Sequence, residues 1–100
     1  MIQPTIGRRV WYFASSYDRD NSVIGHPDPV SQSDPSQPLD AGICYVWGDR
    51  LVNLTVADQN GHMHRRTSVR LVQEGDDVSP DEAYATWMTY QVASAPKVKF

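Results

Sequence analysis

Between Asp40 and Gln73, apolar and polar residues alternate in three short runs broken at Gly48-Asp49 and Asn60-Gly61, a pattern that predicts three consecutive antiparallel strands. Asn60-Gly61 is a strong hairpin signal, because both residues tolerate the positive φ of a type I′ turn. With those two as the loop, Leu54 is expected opposite Thr67, Val52 opposite Val69, Asn53 opposite Ser68, Thr55 opposite Arg66 and Leu51 opposite Arg70. One side is then mostly apolar and the other mostly polar, as a half-buried sheet requires. A second two-residue turn at Gly48-Asp49 sets Tyr45 opposite Val52 and Ile43 opposite Leu54 on the same apolar face.

Upstream, Arg8 to Phe13 alternates loosely, with Val10 and Tyr12 on one side and Arg9, Trp11 and Phe13 on the other, and reads as a first strand. Pro4 and Gly7 make the preceding residues an extended lead-in ending in a turn. Residues 15–39 carry prolines, serines and aspartates without a sustained hydrophobic period, and predict a long irregular loop tacked down by Val23-Ile24. An acidic connector spans residues 74–82. Within it, Ser79-Pro80-Asp81-Glu82 has capping-box spacing and suggests a helical turn at about 80–83. Residues 84–91 fit either one helical face or a strand. A closing strand to Tyr90 is favoured, since a fifth strand lets the sheet curl and removes its edges. The tail from Ala93 to Phe100 is expected to fray. This order of elements is similar to a small five-stranded Src-homology-3-like antiparallel barrel, all-β, in one domain over residues 1–100. Such barrels host many functions.

Length and composition agree with that reading: 100 residues suit one domain, and 40% hydrophobic with 21% charged residues is a globular balance. A net charge of −3 argues against bulk nucleic-acid binding. The single cysteine, Cys44, forms no intramolecular disulfide and points to a reducing compartment, and no apolar run approaches the ~18 residues of a spanning helix. A soluble protein of the cytoplasm is expected.

Candidate chemistry is sparse. His62 and His64 form an H-x-H pair, but a third ligand from Asp58, His26 or Cys44 has no recognisable metal spacing, so exposed histidines beside a turn are the plainer reading. Cys44 falls opposite Asn53 with no histidine beside it and reads as a buried or half-buried structural cysteine. No phosphate loop, nucleophile elbow or diagnostic carboxylate pair is present, so neither catalysis nor a cofactor is expected. More suggestive is the polar face of the meander, where His64, Arg66, Ser68 and Arg70 share one strand beside Asn53 and Thr55. Arginine forks suit phosphate, and Trp11, Trp47 and Trp87 supply aromatic surface for a base. The competing reading is an ordinary solvated face with core or rim tryptophans. Arg66 and Arg70 should project outward, so the fold should survive their joint replacement by alanine. Arg8-Arg9 could extend the basic patch, the acidic connector could mimic nucleic-acid phosphates, and Trp47 could meet Arg50 in a cation–π pair.

Four stretches carry a resemblance: PTIGRRVWY at 4–12, AGICYVWGDRLVNLTVADQNG at 41–61, RTSVRL at 66–71 and the closing ATWMTYQ. In these, about half the chain, the sequence resembles a family of small proteins encoded by tailed phages and prophages. The family carries no motif that fixes a reaction, so no functional residue transfers. The phage context implies a non-catalytic anti-defence protein in the host cytoplasm. Its leading form is a sponge, a homo-oligomer capturing a small anionic nucleotide-like immune signal through Trp11, Trp47, Asn53, His64, Arg66, Ser68, Arg70 and Trp87. The alternatives are a protein–protein interaction module that inhibits a host or defence protein through the long loop and acidic connector, and a minor virion or assembly component.

Overall fold

The computed structural model describes residues 1–19, 27–79 and 82–88. Five strands, β1 (Arg9–Phe13), β2 (Leu39–Gly48), β3 (Leu51–Ala57), β4 (Met63–Val72) and β5 (Tyr84–Thr86), close in chain order into a barrel. The fold is a small Src-homology-3-like barrel. β1 is antiparallel to both β2 and β5, and β5 runs parallel to β4, so neither end of the sheet is left as an open edge. β5 is only three residues long. The anticipated strand to Tyr90 stops at Thr86, and Thr89, Tyr90 and the 93–100 tail lie outside the described residues. So do Pro80 and Asp81 of the expected helical turn; nearby, the Glu82 N–H turns back on the Ser79 carbonyl at 3.3 Å.

The core follows the alternation read from the chain: Val10, Tyr12, Ala41, Ile43, Val52, Leu54, Val56, Val69, Leu71 and Ala85 are buried inside the barrel. Two of its members come from outside the strands. Val30, in the long loop, is fully buried, and Trp87, just past β5, covers one end. Val23 and Ile24, expected to tack the loop down, lie outside the described residues; Val30 performs that role. Trp87 is fixed by Gln73, itself buried, whose side-chain oxygen accepts from the indole N–H at 3.0 Å while its amide donates to the Ile2 and Asp49 carbonyls. A buried amide survives only when its donors and acceptor are matched. Here it ties together the N-terminus, the β2–β3 turn and the barrel end.

Two departures from the simple register matter. The β2–β3 turn is Asp49-Arg50, with Gly48 opposite Leu51, and β2 has irregularities between Ile43 and Tyr45 and between Val46 and Gly48. Ile43 faces Leu54 as anticipated. Tyr45, however, pairs with Asn53 on the outside, and Val46 takes the inward place opposite Val52. Cys44 is exposed and not the buried or half-buried structural cysteine anticipated, because it is the extra residue at the first irregularity. In β4 the pairs Leu51–Arg70 and Val52–Val69 match the anticipated register, but Leu54 then faces Arg66 and Val56 faces His64. Thr67 and Ser68 together oppose Asn53, a β-bulge in which Ser68 adopts φ 53°. At the far end, the hairpin is wider than a type I′ turn. The Asp58 N–H donates to the His62 carbonyl around a three-residue loop whose last member, Gly61, has φ 81°.

Candidate functional site

The β4 bulge decides where the arginines point. Bulging Thr67-Ser68 lets Val69 and Arg66, three apart, both face inward, so Arg66 and His64 leave the outer face expected for them. Arg66 is enclosed, its side chain only 14% exposed. The burial is made tolerable by a short helix, α1 (Ser16–Arg19), at the start of the long loop. Ser15 accepts from the Asp18 N–H at 3.2 Å, and the turn delivers Asp18 into the barrel mouth. There Asp18 accepts from Arg66 Nη2 at 2.7 Å and Nε at 3.1 Å, and from the Tyr12 hydroxyl. Arg66 Nη1 donates to the Arg65 carbonyl at 2.7 Å and to Asp28 at 3.3 Å, and Nη2 also donates to the Asp28 carbonyl. Every guanidinium nitrogen has a protein partner, so this arginine braces the loop and has no nitrogen to spare for a ligand. Burial, joined by the hydrogen bond to Asp18 and its negative charge, pushes the Tyr12 phenol well above its ordinary range.

A second knot lies next to it. His64, buried, sits between Asp58, 2.8 Å from Nε2, and Asp28, 2.7 Å from Nδ1. Burial would raise the Asp58 carboxyl, but hydrogen bonds from His64 and from the backbone N–H groups of Asn60, His62 and Ser31 outweigh it and hold it at about 2. Asp28 is likewise held below its ordinary range: the opposing effect of burial is overcome by contacts from His64 and Arg66. Asp58 thus organises the hairpin and fastens the long loop to it. His62 lies against His64, ring centroids 4.8 Å apart, and is exposed.

The other expected ligand-binding residues do not converge. Trp47 stands on the outer surface, 59% exposed, edge-on to Tyr45 at 4.8 Å, and donates to Asn53 Oδ1 at 2.9 Å. The same oxygen accepts from the Ser68 N–H at 2.7 Å, so Asn53 fastens the bulge. Trp11 faces outward on β1, and Trp87 is buried with Gln73 and lies beneath the Arg8 guanidinium at 5.6 Å. The three tryptophans therefore form no single wall. Trp47 and Arg50 make no cation–π pair, since Arg50, in the β2–β3 turn, is bound to Asp76 in the connector after β4 at 2.9 and 3.2 Å. That bond also neutralises part of the acidic connector. Arg70 lies half-buried on the outer side, paired with Leu51 and Tyr84. Arg9 folds over Gly42 to form a bidentate bond with Asp40 at 2.5 and 3.2 Å, a path a Cβ at Gly42 would obstruct 2.7 Å from Nη1.

What the fold does build is a cleft of about 640 Å³ between α1, the loop at Pro27-Asp28 and the bulged stretch of β4. Its floor is the Tyr12–Asp18–Arg66 set. Its walls carry the hydroxyls of Ser15, Thr67 and Ser68, and exposed Arg65 and Tyr17 stand at the rim. The volume lies within the range of small-molecule sites. Sequence reasoning reached Arg66 and Ser68 but missed Arg65, Tyr17 and Asp18. Asp18 was the accessible clue: any register places one of Arg65 and Arg66 toward the core, and a buried guanidinium demands a carboxylate. Comparison with protein-family models, curated proteins and solved structures finds no match.

Proposed function

We propose that this barrel is a phage-encoded, non-catalytic binding protein of anti-defence type that captures a small anionic nucleotide-like ligand in the cleft beside the β4 bulge. The observation that carries the proposal is a cleft with an electrostatically settled floor and an exposed arginine and tyrosine at its rim. A floor already satisfied by internal pairs is rigid and needs no reorganisation on binding. Arg65 would take the phosphate, Tyr17 would stack on the base, and the hydroxyls of Thr67 and Ser68 would meet polar edges. This relocates the expected site from the outer sheet face to the barrel mouth and replaces Arg70 and the tryptophans by Arg65 and Tyr17. Thermal shift against cyclic nucleotides and cyclic ADP-ribose isomers tests it: a ligand at a hundredfold its Kd stabilises by ~2.7 kcal/mol, and Arg65→Ala should abolish the shift. No stabilisation by any member at saturating concentration contradicts the proposal. The expected homo-oligomer is tested on the same samples by light scattering, with and without ligand.

A second reading, inhibition of a host or defence protein, is favoured by the exposed cluster of Tyr45, Trp47 and Leu51 beside Asn53. Tyrosine and tryptophan dominate binding energy at protein interfaces. An inhibitor should retain a stoichiometric host protein in a pull-down and lose it on Trp47→Ala; a sponge should retain none.

A further inference from the structure

His64 is flanked on both ring nitrogens. Asp58 Oδ2 lies 2.8 Å from Nε2 and Asp28 Oδ1 lies 2.7 Å from Nδ1. Both ring nitrogens of His64 therefore face carboxylate oxygens, and the exposed His62 ring lies edge-on to that of His64 with centroids 4.8 Å apart. Of the three carboxylates at this end of the barrel, Asp18 is compensated by Arg66, while Asp28 and Asp58 flank His64. Buried charge persists only when it is compensated.

The donor set is one a divalent metal ion takes once the Asp28 carboxylate draws back from its 2.7 Å contact with Nδ1, since tetrahedral donors around zinc stand roughly 3.4 Å apart. Ligand atoms of Asp28, His62 and His64 all lie within 4.8 Å of one another. Two imidazoles and one carboxylate are a common zinc ligand set with one position left for water, at bond lengths of about 2.0–2.2 Å. The neighbouring shell fits as well: a histidine ligand commonly donates its other ring N–H to a carboxylate, which fixes tautomer and ring orientation. Asp58, buried and bound by backbone N–H groups, stands in that position on the Nε2 side.

We infer that His62, His64 Nδ1 and Asp28 form a binding site for a divalent transition ion, zinc foremost, with Asp58 positioning His64 from behind. The ion clips the Pro27–Ser31 stretch to the start of β4; Asp28 also borders the cleft of the proposed function, whereas His62 and His64 do not line it. Hard oxygen-seeking magnesium is excluded by the two imidazoles.

The test uses untagged, EDTA-treated protein titrated with zinc chloride, followed by calorimetry and thermal melting. One ion per chain and a raised Tm are expected, with magnesium chloride giving neither. His62 is exposed, so His62→Ala should melt like the metal-free wild type yet bind zinc at least about tenfold more weakly. Cys44→Ser should bind as the wild type does. Cobalt(II) should give ligand-field bands that vanish in His62→Ala. Absence of zinc binding by the wild type overturns the inference. So does undiminished binding in His62→Ala, loss of binding in Cys44→Ser, or an equal response to magnesium.

Discussion

Arg66 is the residue on which the interior turns. It is cationic, enclosed and bound to Asp18 and Asp28. Removing one partner of such a pair strands the other, which costs ~3–5 kcal/mol. Arg66→Ala should therefore lose about that much in urea denaturation, whereas exposed Arg65→Ala should change stability by no more than about 0.5 kcal/mol. This reverses the expectation drawn from a two-residue hairpin, under which Arg66 projects into water and is dispensable. Equal stability of the two variants would remove Arg66 from the core. Ser68 is a second sensitive position: at φ 53° a hydroxymethyl group is tolerated, but a β-branched side chain is not, and Ser68→Val should cost about 1–3 kcal/mol by the same measurement.

Among elements, the hairpins and bulges set the register. Gly61 closes the β3–β4 loop at φ 81°, and a Cβ added there would have nothing within 4 Å, so Gly61→Ala meets no clash and its cost is backbone strain alone, about 1 kcal/mol. The β4–β5 connector is held by Asp76, whose carboxyl is drawn down to about 2 by the Arg50 guanidinium and the Gln73 N–H. A carboxyl depressed on folding stabilises above its unfolded pKa of about 3.9 and loses that contribution as pH falls through about 2. Urea midpoints measured from pH 5 to pH 2 should decline, and Asp76→Asn should flatten part of that decline. Identical slopes would show that the Arg50–Asp76 bond does not hold the connector. The strands, the Val52–Val69 and Leu51–Arg70 pairs and barrel closure were legible, because alternation and turn residues encode them directly. The bulges were not. One extra residue at Thr67-Ser68 keeps the Val52–Val69 pair but shifts every β4 residue on the hairpin side, and whether Arg65 or Arg66 turns inward depends on a carboxylate forty-eight positions away in a loop without periodicity.

For the molecule as a whole, a closed barrel with no open edge offers partners its outer face or its mouth. Among the described residues no helix is long and apolar enough to cross a membrane. The long loop, pinned by Asp18, Val30 and Asp58, turns the mouth into a cleft, and the central claim is that this cleft receives the ligand. The most direct measurement is an amide chemical-shift titration of the ¹⁵N-labelled protein with cyclic nucleotides and cyclic ADP-ribose isomers. Saturable shifts should cluster at Ser15–Asp18 and Arg65–Val69, leaving Tyr45, Trp47 and Leu51 unmoved. Shifts centred on Tyr45, Trp47 and Leu51, or none with any ligand, would contradict it.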